Sequence, residues 1–193
     1  MNKLSYLALS VYMVSVAQAQ TCNPNIVRTA PDSRYELVVG SGGSEVLDKK
    51  TGLIWQRCSL GQTWNGTTCT GAAIRHTWTD ALAQAKSLGN GYRLPNIREL
   101  KSLTERACME PAINSKFFPN TTNDGYWSAS PYGGDDNSAW YVYVDYGALD
   151  SGIGNPYSSR ENEIAWVVDF GYGLTDGYFK AYYGPIRAVR AGQ

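Results

Sequence analysis

Four cysteines and a single histidine set the reactive repertoire of this 193-residue sequence. An even cysteine count reads as two disulfides if the chain is exported. Cys58 and Cys69 bracket a turn-rich loop containing Asn65-Gly66 and pair locally, which leaves Cys22 to Cys108. As metal ligands the four lack C-x-x-C spacing, and only His76 could join them, so zinc is not expected. His76 itself precedes a helix cap and reads as a polar surface or capping group. One histidine assembles no Ser-His-Asp constellation, and stapled cysteines leave no free thiol pair. Carboxylates occur in pairs, but no spacing singles them out for glycoside hydrolysis. The sequence therefore reads as a non-enzyme.

Binding chemistry is better supplied. Sugar recognition needs flat aromatic faces against C–H surfaces and planar carboxylate or amide hydrogen-bonders. The loop from Pro131 to Ser138 and the segment from Gly152 to Glu163 carry both. Tyr132, Asp135, Asp136, Asn137 and Tyr157 are the candidate ligand-binding residues, against the plain alternative of solvated loops between strands. Trp64, on the Cys58–Cys69 loop, is a further candidate; its other reading is a lid over the core. No cofactor is expected; calcium, held by Asp135, Asp136 and Asn137 with Glu161 or Glu163, is the lesser alternative.

The ends and the charge bound the setting. Lys3, the mostly apolar run Leu4 to Val16, and Ala17-Gln18-Ala19 have the layout of a secretory signal cleaved after Ala19. A membrane anchor is disfavoured, because the run is short and broken by Ser5, Ser10 and Ser15. The expected organisation is a signal over 1–19, an N-terminal arm over 20–45 and one domain over 46–193. Formal net charge is zero, so nothing global favours nucleic acid. A glycan or a surface protein is the expected partner, with oligomerisation open, and the location is periplasmic, cell-surface or secreted.

The elements that must position these groups follow from local signals. Gly91-Tyr92-Arg93-Leu94-Pro95-Asn96-Ile97-Arg98-Glu99-Leu100 is an extended piece turning into a helix. Pro95 keeps Leu94 out of helical angles, and Asn96 with Glu99 makes a capping box. Leu94, Ile97, Leu100 and Leu103 form its apolar face, and the helix is expected to reach about Arg106, with Arg98, Lys101 and Glu105 on its solvated side. An earlier helix opens at Thr77 and stops at Gly89. Strands are expected at Tyr35 to Val39, in a hairpin from Val46 to Trp55, at Tyr126 to Ser130, Ala139 to Tyr146, Ile164 to Phe170 and Tyr178 to Ala181, and at Gly184 to Arg190. Abundant aromatic and glycine residues suit a loop-rich α+β domain with a twisted, mostly antiparallel sheet.

Six ordered strings carry a resemblance: Thr51-Gly52-Leu53-Ile54-Trp55-Gln56, Trp78-Thr79-Asp80-Ala81-Leu82, Tyr92 to Leu100, Tyr126-Trp127-Ser128-Ala129-Ser130, Ala165-Trp166-Val167-Val168-Asp169-Phe170 and Ile186-Arg187-Ala188-Val189-Arg190. Together they resemble the DUF1566 family, the domain at the C-terminus of the Legionella collagen-like adhesin. The Arg-Leu-Pro turn into a helix is also similar to that of C-type-lectin-like and formylglycine-generating-enzyme-like domains. The resemblance implies a C-type-lectin-like fold, adhesion and binding of sulfated glycans. The basic side chains for this would be Arg93, Arg98, Lys101 and Arg106, scattered about the central helix. No Gly-X-Y stem is present to trimerise the chain. An accessory role in a pilus or envelope assembly is the alternative; an enzyme of the formylglycine-generating type is a more distant one.

Overall fold

The computed structural model describes residues 20–132 and 161–192. The expected secretory signal and the expected strand from Ala139 to Tyr146 lie outside the described residues. The central turn folds as its residues dictate. Helix α2 spans Ile97–Ser102. The Asn96 side chain accepts from the Glu99 N–H at 2.9 Å, and the Glu99 carboxylate accepts from the Asn96 N–H at 2.8 Å. Arg93 grips the same carboxylate through two donors, at 2.8 and 2.7 Å. Those hydrogen bonds from Arg93 hold Glu99 below the usual carboxylate range. Asn96→Ala removes the reciprocal cap and is expected to lower unfolding free energy by about 1 kcal/mol in a urea titration, with an unchanged native spectrum.

The helix is shorter than its sequence suggests. The N–H groups of Leu103 and Thr104 reach back only three residues, to Leu100 and Lys101, so the last turn tightens and the chain departs. Glu105 then swings inward. It is fully buried, and its carboxylate accepts from the N–H groups of Thr29 at 3.0 Å, Ala30 at 2.9 Å and Ala107 at 2.9 Å. The expectation of Glu105 on a solvated face is thus corrected: three backbone donors replace water around it.

Helix α1 spans Trp78–Ser87, capped by the Thr77 hydroxyl on the Asp80 N–H and ended by Gly89 at φ 69°. Ala81 and Ala85 are its buried side chains. Strands β2 (Tyr35–Leu37), β3 (Glu45–Asp48), β4 (Leu53–Gln56) and β11 (Val189–Ala191) form one antiparallel sheet in the order β11-β4-β3-β2. Strands β8 (Gly125–Pro131), β9 (Ile164–Asp169) and β10 (Leu174–Phe179) form a second, antiparallel, in the order β10-β9-β8. Two short ribbons remain, β1 (Thr21–Cys22) with β7 (Cys108–Met109) and β5 (Thr63–Trp64) with β6 (Cys69–Thr70). Both disulfides form as the spacing implies, Cys22–Cys108 and Cys58–Cys69, one at each ribbon.

Three strand boundaries differ from expectation. Strand β2 stops at Leu37, and Val39 is exposed. Strand β10 starts at Leu174 rather than Tyr178, because the turn closes early: Gly173, at φ 73°, donates to the Asp169 carbonyl at 2.8 Å. The terminal strand is limited to β11, while Gly184 makes a single bridge with His76. His76 accordingly works through its backbone, whose carbonyl also accepts from the Trp127 indole at 2.8 Å.

Strands β8 and β9 are largely buried on both faces, and period-two alternation explains how. Tyr126 and Val168 join Trp55, Leu100, Leu103, Phe118 and Phe170 in one core. Their neighbours Trp127 and Val167 pack with Ala81, Ala85, Leu94 and Ile186 in the other. Mixed α and β content, few helices, antiparallel sheets and two disulfides agree with the expected class.

Candidate functional site

Hollows lie beside the three-stranded sheet. The first, of 280 Å³, lies where α2 crosses β9 and is lined by Ile97, Arg98, Lys101, Trp166 and Thr175. Arg98 and Lys101 are three residues apart on α2 and so share a side. Across the ladder Trp166 faces Gly177. The missing side chain matters there, since a Cβ on Gly177 would stand 2.9 Å from Ile164 and 3.1 Å from Tyr132. Tyr132 therefore lies down on the sheet, its ring 4.5 Å from that of Trp166. Lys101 Nζ reaches Thr175 Oγ1 at 3.5 Å, and neither Lys101 nor Arg98 forms an ion pair among the described residues. The hollow thus presents an indole beside two uncompensated cations.

The second, of 520 Å³, opens beside β10 and is lined by Arg75, Asp124, Tyr178, Ala181, Tyr182 and Tyr183. Arg75 pairs with Asp124 at 3.0 Å and donates from Nε to the Tyr183 carbonyl at 3.1 Å. Burial pushes the Asp124 carboxyl up, against the pull of Arg75. Burial also pushes the Tyr178 hydroxyl up to about 12, helped by Asp169, Asp124 and Asp176. Among the described residues no group of three or more His, Cys, Asp or Glu side chains could hold a metal ion.

The family described as the Lcl C-terminal domain matches residues 44–157, more than half of the chain. The chain belongs to this family. No curated protein matches it. Among solved structures, the crystal structure of botrocetin is similar at 12% identity, covering 70% of this chain and 99% of that one with a TM-score of 0.35, a superposition too weak to assign fold or function. The Lcl match ends before β9, so Trp166 and the tyrosines of β10 and its following turn lie past it.

The sequence-derived candidates fall in different places. Tyr132 is buried against Trp166, which lines the first hollow, but does not line the hollow itself. Trp64 stands apart from both: its indole donates to the Gly42 carbonyl at 3.1 Å, and the Arg57 guanidinium lies 4.0 Å over its ring. Arg57 is itself held by the carbonyls of Gly43, Lys116 and Phe117, each at 2.8 Å. The ring therefore covers the glycine-rich loop. Asp135, Asp136, Asn137 and Tyr157 lie outside the described residues. Of the scattered basic residues, Arg93 is tied to Glu99, and only Arg98 and Lys101 line a hollow. Trp166, read from the sequence only as part of a strand, and the Tyr182-Tyr183 pair were not among the candidate site residues. Their signals were a large aromatic inside an alternating strand, and two adjacent tyrosines just before the Gly184-Pro185 break.

Proposed function

We propose that this Lcl-family chain is an exported, non-enzymatic adhesion module that binds a sulfated glycan in the hollow between α2 and β9. One observation carries the reading: Trp166 lines the same hollow as Arg98 and Lys101, whose charges no carboxylate among the described residues neutralises by an ion pair. An indole face suits the apolar side of a sugar ring, and the two cations suit its sulfates. Tyr132, packed behind Trp166, pre-orders the ring before any ligand arrives. Two disulfides are compatible with an extracytoplasmic site, and among the described residues no helix is long and apolar enough to cross a membrane. An export signal over 1–19, an arm over 20–45, a binding domain from residue 46 and a C-type-lectin-like fold complete the proposal; the Arg93-Leu94-Pro95 turn into a capped helix supports the last.

Heparin binding to the purified mature chain tests it. The Arg98→Ala/Lys101→Ala double variant is expected to weaken binding about tenfold or more and to flatten its salt dependence. Trp166→Ala should weaken it at unchanged salt slope. Absence of heparin retention at low salt, or full retention by the double variant, overturns the reading. A blank glycan array together with a recovered protein partner would favour the accessory envelope role instead.

A further inference from the structure

The tyrosine-lined hollow is separate from the glycan site just described, with no lining residue in common. Trp166 and Tyr178 sit on neighbouring strands in adjacent ladder pairs, Trp166 with Gly177 and Ala165 with Tyr178. Successive residues alternate between faces, so the two aromatic rings leave opposite sides of the same sheet. Their electrostatics are opposed as well. Asp124, Asp169 and Asp176 all act on Tyr178, with Arg75 as the one cation set against them. Arg75 is engaged by Asp124, and Lys180 is engaged by the Asn162 carbonyl at 2.5 Å and by the Trp78 ring at 4.6 Å. The hollow's own lining holds one cation and one carboxylate, paired with each other, so a sulfate or carboxylate entering here meets no free cation among the lining residues.

What the hollow does offer is aromatic surface with a neutral hydrogen-bonding edge. Tyr182 and Tyr183 are 45% and 63% exposed. Tyr182 does not swing freely, because Phe179 packs edge-on against it at 5.5 Å. A further hollow of 520 Å³, lined by Asn162, Glu163, Phe179 and Lys180, shares Tyr182 with this one. Each basin falls within the roughly 300–1,000 Å³ of small-molecule sites. The Arg75–Asp124 pair, half open to solvent at 54% and 22% side-chain exposure, sets a planar donor and an acceptor side by side at the basin wall. Vicinal hydroxyls need that pairing, one oxygen accepting from the guanidinium while its neighbour donates to the carboxylate.

We infer that this cleft binds an uncharged pyranose oligosaccharide, with Tyr182 stacking on the C–H face of a ring and the Arg75–Asp124 pair holding its hydroxyls. The chain would then carry two saccharide sites of different charge preference. The inference stands independently of the sulfated-glycan reading.

Isothermal titration of the mature, disulfide-intact chain with cellotetraose, chitotetraose, mannotetraose and galactotetraose tests it. At least one is expected to bind with an affinity that changes less than about twofold between low and high salt, because no counterions are released. Tyr182→Ala and Arg75→Met should each weaken that binding about tenfold or more, a loss of one interaction of roughly 1.4 kcal/mol. Tyr182→Phe, which keeps the ring, should retain it, and Tyr182→Ala should leave heparin retention unchanged. Thermal melts confirm that the variants fold. The inference is overturned if none of the four sugars gives heat, if binding survives both Tyr182→Ala and Arg75→Met, or if heparin displaces the bound tetrasaccharide.

Discussion

Asp48→Ala should destabilise the fold by about 3–5 kcal/mol, the range for stranding one partner of a buried ion pair. Asp48 and Arg34 have side-chain exposures of 0% and 6%. The pairing is bidentate: Arg34 Nε donates to Oδ1 at 2.6 Å and Nη2 to Oδ2. Asp48 also accepts from the Thr51 hydroxyl at 2.7 Å and the Lys50 N–H at 3.1 Å, closing the β3–β4 hairpin turn. Arg34 donates onward to the Ser102 carbonyl at 2.7 Å. One pair thus ties the N-terminal arm, a hairpin and the end of α2, and its loss leaves a guanidinium in the core. The double variant Arg34→Met/Asp48→Leu is expected to lose much less than Asp48→Ala, since both desolvation penalties go together. Acid has a related effect. Burial raises the Asp48 carboxyl, but the hydrogen bonds from Arg34 and Thr51 outweigh it and hold the group below its ordinary 3.8. A depressed native value means the contribution is present above the unfolded value and is lost as pH falls through the native one. Urea midpoints measured from neutral pH down past 3.8 should therefore fall more steeply for the native chain than for the double variant.

How much of this was legible depended on whether a signal was local. The capping box of α2, the stop at Gly89, the β3–β4 hairpin and both disulfide pairings are set by residues close in sequence or by elimination, and all are present. The errors came where distant groups decided the outcome. Glu105 has a surface residue's chemistry and a helical residue's spacing, yet three N–H groups, two of them from the N-terminal arm, draw it inside. Arg187 is wholly buried, donating to the carbonyls of Gln56 and Arg57 and to the hydroxyls of Ser59 and Thr121. Nothing in Ile186-Arg187-Ala188 announces that. The same holds for the hollows. Composition pointed to aromatic and acidic loops, but Trp166 meets Arg98 and Lys101 only because β9 passes under α2, and Arg75 meets Asp124 only through the tertiary fold.

Removing the Cys22–Cys108 bond, as Cys22→Ser/Cys108→Ser, is expected to lower stability by between about 4 and 5 kcal/mol, against about 3 kcal/mol for Cys58→Ser/Cys69→Ser. The difference follows from loop length: the first bond spans 86 residues of sequence and the second 11. A longer loop restricts the unfolded chain more. Native contacts should hold the arm in place after the longer bond is lost. The β1–β7 ribbon is only two residue pairs long, but Asn23 donates to the Ala107 carbonyl at 2.7 Å, and Gln20 reaches the carbonyls of Pro111 at 2.5 Å and Ile113 at 2.6 Å. Glu105 adds its two bonds to Thr29 and Ala30. Urea titration of the serine pair should therefore show one cooperative transition at a lower midpoint. Adding Glu105→Gln keeps one acceptor oxygen but sets an amide N–H₂ against a backbone donor and removes the charge that the three N–H groups share. That triple variant should lose more than the sum of its parts, and limited proteolysis should cut it first between residues 20 and 31. Simple additivity, with the arm still protected, would mean that the ribbon and the Gln20 contacts hold the arm without either the disulfide or the buried carboxylate.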